Sequence, residues 1–386
     1  MRLLKKFSIP LVAIALIVTG CVSPSQNTNE SQPRNNSGSG GKVRIGFSMD
    51  TLKEERWQRD KELVEARAKE LGAEIDVQVA NGDDARQLSQ CDSMLTRGVD
   101  VLIVAPHNGK VAARIVEKAH QQGVPVISYD RLITDSDVDL YVSHQVEKIG
   151  EMQAQYALER APRGNYVLIG GSQTDNNAIL LRNGQMKVLQ PAIDRGDVKV
   201  ISNQYAREWL ASEALRITED AMTRTGGDIQ AVVASNDGTA GGAIQALGDR
   251  AKNVIVTGQD AQLDAVQRIV EGRQSMTIYK PIRPLAHSAV DNAIKLARGE
   301  KPEAADRINN GKIEVPSVLH EPIAVDKNNV AQTLIKDGYH KMEDVYRNVP
   351  REQWPQAVRL RTPGTENNFV FTLLAALLPY DRALLF

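Results

Sequence analysis

Apolar residues in this chain come in short runs of strand length, separated by stretches with a helical period. Val43-Arg44-Ile45-Gly46-Phe47-Ser48-Met49 predicts a strand, and residues 53–71 predict a helix ending at Gly72, a suitable C-cap. The alternation continues through 74–79, 84–97, 99–105, 110–122 and 124–129. A second run begins near Gly164, with strands at 165–170, 198–203, 229–235, 253–259 and 275–280. Helices at 176–194, 207–224, 238–249 and 261–271 separate them. A helix over 284–299, a Pro-Gly-Asn turn region, extended chain over 312–325 and a short helix over 328–337 close the pattern. Apolar strands alternating with helices of this length specify an α/β fold of right-handed βαβ units and buried parallel sheets.

The second run echoes the first. Val101-Leu102-Ile103-Val104-Ala105 aligns with Ala231-Val232-Val233-Ala234-Ser235, and Val124 to Asp130 aligns with Val254 to Asp260, both at an offset of 130 residues. Each half therefore ends a core strand in Asp, which predicts two lobes facing each other across a cleft. The order of elements predicts crossings between lobes near 144–148, 281–284 and 312–318. The expected N-terminal lobe is 42–144 plus 284–313, and the C-terminal lobe 145–283 plus 314–346.

Both ends stand apart from this pattern. Arg2, Lys5 and Lys6 precede the apolar run Ile9 to Val18, too short to span a bilayer, and Val18-Thr19-Gly20-Cys21 resembles a bacterial lipobox. The resemblance implies a signal peptide over 1–20 and lipidation at Cys21; an uncleaved anchor or an ordinary secretory signal is the alternative. Two acyl chains give stable anchoring on the extracytoplasmic side. Residues 22–41 are Ser, Asn, Gln, Gly and Pro and predict a flexible tether. Cys91, the second cysteine, shares helical spacing with Leu88, Met94 and Leu95 and is expected as a buried free thiol. Residues 347–386 follow no βαβ logic and are expected as an appended, disordered tail.

Composition narrows the function. The 386 residues carry a net charge of -1, which gives no electrostatic basis for a nucleic-acid partner. There is no GxGxxG after the first strand, no GxxxxGK[ST], no HExxH, no CxxC and no GxSxG. No enzyme, metal or cofactor is therefore expected. The small residues Gly238 to Gly242 suit close helix packing, and scattered His107 and His144 suit structural or solvated roles.

Polar residues do accumulate at strand ends: Arg56 with Trp57, Asp130-Arg131, Asp175, Asn177, Arg182, Trp209, Asn236, Asp260 and Lys280. Open α/β sheets bind ligands there. Adjacent carboxylates, cations and an amide match a ring of hydroxyls, each of which donates and accepts. Trp209 or Trp57 can cover the C–H face of a pyranose. Arg56, Arg131, Arg182 and Lys280 against Asp130, Asp175 and Asp260 is a near-balance of charge that favours a neutral ligand.

Several segments together carry a family resemblance: Glu55-Arg56-Trp57-Gln58, Arg97 to Leu102, Tyr129-Asp130-Arg131, Asp175-Asn176-Asn177-Ala178, Ala234 to Asp237, Thr239 to Leu247, Gly258-Gln259-Asp260-Ala261 and Tyr279-Lys280-Pro281-Ile282. Through them residues 42–346 resemble the D-xylose-binding proteins of bacterial ABC importers, within the sugar-binding periplasmic proteins of the ribose/galactose type. The resemblance implies the type I periplasmic binding protein fold, two Rossmann-like lobes joined by three crossing segments. It implies D-xylose contacts at Arg56, Asp130, Arg131, Asp175, Asn177, Arg182, Trp209, Asn236, Asp260 and Lys280. It also implies a monomer that hands a monosaccharide to the membrane permease of an ABC importer. His107 and His144 stand where that family is expected to carry Tyr and Phe, and Trp57 is expected beside the site. A sensor that signals to a membrane kinase or chemoreceptor would share these features. A sugar-responsive repressor would need an N-terminal helix-turn-helix where this chain has the lipobox and tether.

Overall fold

The first strand, β1 (Arg44–Met49), is buried at five of its six positions, so it needs cover on both faces. In the computed structural model, which describes residues 41–355, it lies inside a seven-stranded sheet. The chain continues through α1 (Glu55–Glu70), β2 (Glu74–Val79), α2 (Asp84–Thr96), β3 (Val101–Ala105), α3 (Ala113–Gln121), β4 (Val126–Tyr129) and β5 (Leu140–His144). It then enters the second lobe with α4 (Val146–Arg160), β6 (Gly164–Gly170), α5 (Asn176–Asp194), β7 (Val198–Tyr205) and α6 (Ala211–Thr225). That lobe is completed by β8 (Ala231–Ala234), α7 (Asp237–Leu247), β9 (Ile255–Val256), α8 (Leu263–Val270) and β10 (Thr277–Tyr279). The last elements are α9 (Ile282–Ala297), β11 (Asp306–Asn309), β12 (Glu314–His320) and β13 (Ile323–Val325). All described residues belong to one compact unit.

The first sheet has the order β11-β12-β5-β4-β3-β1-β2 and is parallel except for β11. One face buries Ile45, Phe47 and Ile127 under α1 and α9; the other buries Leu102, Val104 and Val126 under α2 and α3. Cys91 of α2 is 1% exposed and free, and burial pushes its thiol up to about 12.

The second sheet has the order β7-β6-β8-β9, all parallel. Backbone bonds carry it further: Ser275 N–H donates to Val256 O at 2.9 Å and Ile278 N–H to Gly258 O at 3.1 Å, and β10 pairs antiparallel with β13. The series β7-β6-β8-β9-β10 thus repeats β2-β1-β3-β4-β5, while the next strand is antiparallel in the second lobe and parallel in the first. The repeat reaches single bonds. Asp130 N–H, after β4, donates to Val142 O of β5 at 2.8 Å; Asp260 N–H, after β9, donates to Ile278 O of β10 at 2.8 Å.

Three expectations change. The strand β5 and helix α4 are absent from the sequence reading. Buried positions of α4 include Gly150, Gln153, Ala154 and Ala157, too small or polar to mark an apolar face. Residues 314–320, expected in the C-terminal lobe, form β12 of the first sheet, where Val315 is fully buried and Ser317 to His320 pair with Tyr141 to His144. The third crossing therefore falls at 321–322 rather than 312–318. The tail expected from 347 begins with a docked turn: Asn348 bonds Glu271 at 2.8 Å and the Trp354 indole donates to Val349 O at 2.8 Å. Cys21, the expected signal peptide, most of the expected tether and residues 356–386 lie outside the described residues. Among the described residues no helix is long and apolar enough to cross a membrane.

Candidate functional site

Each lobe presents one carboxylate on a strained turn. Asp130 has φ 59° and Asp260 φ 94°, values that Asp tolerates better than β-branched or bulky residues. The two turns face each other because the strands that carry them occupy equivalent places in the two sheets. Arg56, in the first turn of α1, reaches Asp130 at 2.7 Å and lies 3.8 Å from Asp260. Lys280, at the crossing after β10, lies 3.1 Å from Asp260 and 3.5 Å from Asp130. These four groups are each less than a tenth exposed. Burial opposes the charge on Asp130, but Arg56 and Lys280 outweigh it and hold the carboxyl well below its usual range.

A second cross-lobe pair flanks the first. Arg131 reaches Asp175 at 2.9 Å and Asp50 at 2.6 Å. Asp175 caps α5 through Asn177 N–H at 2.9 Å, and Asn177 donates its amide to Asp130 O at 3.0 Å. The pieces interlock elsewhere too: Lys53 donates to Glu208 O at 2.6 Å, and Leu263 N–H to Glu55 at 2.9 Å. Trp209 enters from the second lobe on a turn where Glu208 and Trp209 both have positive φ, 52° and 57°. Its ring lies over Gly171, where any Cβ would sit 2.1 Å from the indole.

These residues enclose a cavity lined by Arg56, Asp130, Arg131, Asp175, Asn177, Trp209, Asn236, Asp260 and Lys280, together with Glu54, Trp57 and Gln259. Nine of the ten expected residues therefore meet at one wall. The tenth, Arg182, is absent from that wall but is 6% exposed, and burial lowers its pKa to about 10. Several buried polar atoms have no hydrogen-bond partner: both terminal nitrogens of Arg182, the Trp209 indole N–H and Asp260 Oδ1. Asp260 Oδ1 is close enough to Lys280 for an ion pair but not aligned for a hydrogen bond. Asn236 spends its side-chain oxygen on capping α7 through Thr239 N–H at 2.9 Å. Trp57 lies under two guanidinium groups, 4.4 Å from Arg56 and 5.2 Å from Arg131.

The supporting residues were less legible. Asp60 receives Arg56 at 3.0 Å; its spacing of four residues within α1 was the signal. Asp50 grips Arg131 and also His107 Nδ1 at 3.0 Å, and no local pattern marks it. Burial disfavours the Asp50 charge, but His107 and Arg131 overcome that and lower its pKa to about 2. His107 is 8% exposed and stays off the cavity wall, as does His144, which is buried with both ring nitrogens unpartnered. Burial and nearby Lys280 hold His144 well below its ordinary value of 6.5. No group of three or more metal-ligating side chains occurs among the described residues.

His107 supplies a pH-dependent clasp between lobes. Asp50 at 3.0 Å and Asp84 at 4.0 Å face it from the first lobe, and Glu208 at 3.8 Å from the second, beside Lys53. The bond to Asp50 raises its pKa above 6.5. A raised histidine contributes stability that is complete below the unfolded value and is lost as pH rises through the folded one. The melting temperature of wild type minus that of His107→Gln is therefore expected to be roughly 2 °C greater at pH 6 than at pH 8. An equal difference at both pH values would remove this role.

The two-lobed topology and the polar cavity fit a binding protein, and sequence comparison agrees. The family described as "Periplasmic binding protein domain" matches residues 45–301. A D-xylose-binding periplasmic protein of Haemophilus influenzae is 49% identical over 306 residues, covering 79% of this chain and 92% of that protein. Its Escherichia coli counterpart, of the same name, is 48% identical over 305 residues, covering 78% and 92%. A solved carbohydrate transporter solute-binding protein from Chloroflexus aurantiacus, in complex with D-glucose, superposes with a TM-score of 0.74 at 33% identity, covering 79% of this chain and 98% of that one. The chain belongs to the periplasmic binding protein family, with the type I fold. As a member of that family it is a binding protein and not an enzyme.

Proposed function

We propose that this chain captures D-xylose, or a closely related neutral monosaccharide, between its lobes and delivers it to the permease of an ABC importer. The observation that carries this reading is the set of unpartnered buried atoms at and behind a small polar cavity whose wall mixes cations, carboxylates and amides. Trp209 at the wall and Arg182 behind it offer donors, and Asp260 offers an acceptor. A buried polar atom without a partner costs about 1–3 kcal/mol. Each sugar hydroxyl both donates and accepts, so a ring carrying several of them suits this mixed set of donors and acceptors. A sugar lacking one hydroxyl would leave a group stranded and be rejected strongly. The names of the two relatives at 48% and 49% identity support xylose over other pentoses and hexoses.

The ten residues named from the sequence are proposed as the sugar contacts, with Trp209 against the C–H face of the ring. The two lobes are proposed to move as bodies about 145, 280–281 and 321–322, the places where the chain passes between sheets. Lipidation of Cys21 would hold the monomeric receptor at the membrane, with residues 22–41 as the tether. Uptake of labelled D-xylose by cells deleted for the gene tests the transport role. Restoration by the wild-type chain but not by Asp260→Ala is expected, and full uptake without the protein would contradict it.

A further inference from the structure

Arg182 is held by a neutral group. Its Nε–H donates to Gln185 Oε1 at 3.0 Å, while no carboxylate pairs with the guanidinium. Gln185 in turn donates to Gln153 Oε1 at 2.9 Å and to Ser235 Oγ at 3.2 Å. Gln153 donates to Ser235 O at 3.2 Å and to Gly258 O at 3.0 Å. Both glutamines are fully buried, and each uses its oxygen once and its amide hydrogens twice. Ser235 immediately precedes Asn236, and Gly258 stands two residues before Asp260. The two amides thus join α4, α5 and the ends of β8 and β9.

The contact depends on an unusually close helix crossing. A Cβ on Gly150 of α4 would lie 2.1 Å from Leu181 O, and one on Gly184 of α5 would lie 2.0 Å from Glu147 O. Any larger residue at either position would separate the helices and break the link between Gln153 and Gln185.

We infer that Gln185, buttressed by Gln153, is a positioning residue that aims the Arg182 guanidinium at the ligand while leaving its charge unpaired. This rests on the binding reading above. A carboxylate at 185 would orient Arg182 equally well but would neutralise it. A glutamine fixes direction and leaves both terminal nitrogens for hydroxyl acceptors. Every member of the relay lies in the second lobe, so the arrangement persists when the lobes separate. The site is thereby organised before the sugar arrives, which lowers the ordering cost of binding.

The test has a ligand-free arm and a ligand arm. In ligand-free wild type, the Arg182 Nε–H resonance is expected to exchange slowly with solvent, and Gln185→Met is expected to abolish that protection. Titration with D-xylose is expected to show Kd raised about 10- to 30-fold by Gln185→Met, but less than threefold when the same change is made in Arg182→Ala. Gln153→Met, one bond further away, is expected to give a smaller loss, and it replaces Gln185→Met if that variant fails to fold. Persistent Nε–H protection in the methionine variant, or a Kd within twofold of wild type, overturns the inference. If wild type binds no sugar, the transport reading fails, yet the exchange measurement still decides the role of Gln185.

Discussion

Asp130→Ala is expected to lower stability by about 3 kcal/mol at pH 7, near the lower end of the cost of breaking a buried ion pair. Arg56 would keep Asp60 at 3.0 Å, and Lys280 would keep Asp260 at 3.1 Å, so neither cation is left wholly alone. Each would nonetheless lose its contact with the Asp130 carboxylate inside a buried cluster. Alanine also sits poorly at φ 59°. Asp130→Asn separates these causes, because asparagine tolerates the backbone and retains acceptors. The charge contribution is present above the ordinary carboxyl value of 3.8 and is lost as pH falls through the depressed folded value. Urea unfolding at pH 7 measures the loss. A change below about 1 kcal/mol would mean that the surrounding charges compensate fully.

Asp260→Ala is expected to act on binding more than on folding. Its Oδ1 has no hydrogen-bond partner, so the carboxylate is underused in the protein alone. In the proposed complex that oxygen accepts a sugar hydroxyl while Lys280 and Arg56 hold the carboxylate in place. Removing it would leave Lys280 and Arg56 sharing Asp130 and would strand the sugar hydroxyl that Asp260 accepts. The expected loss of sugar affinity is about 2–5 kcal/mol. Asp260→Asn, which suits φ 94°, keeps an acceptor and is expected to lose less. Comparable affinities for alanine and wild type would reassign Asp260 to a purely structural role.

Much of this architecture was legible because its strands are apolar on both faces and its helices are not. The echo of Val124–Asp130 in Val254–Asp260 signalled two lobes, and the equal bonds from Asp130 and Asp260 to their neighbouring strands give that echo its physical content. What escaped the sequence was what small or polar residues encode. The α4 face is built from Gly150, Gln153 and alanines, which carry no apolar signal, yet it holds the buried amide relay. Strand β12 reads as extended chain, but only its pairing with β5 assigns it to the first sheet. Within the site, residues that touch the cavity were visible as charges at strand ends. Those that orient them were harder to see: Asp50 grips a residue distant in sequence, Asp60 offers only its spacing of four residues from Arg56, and Gln185 is neutral.

Isothermal titration of the purified protein with D-xylose, D-ribose, L-arabinose and D-glucose addresses the central claim most directly. One-to-one binding is expected, with D-xylose preferred by at least about tenfold, since each mismatched hydroxyl strands a buried partner. No heat with xylose alongside clear binding of another sugar would contradict it.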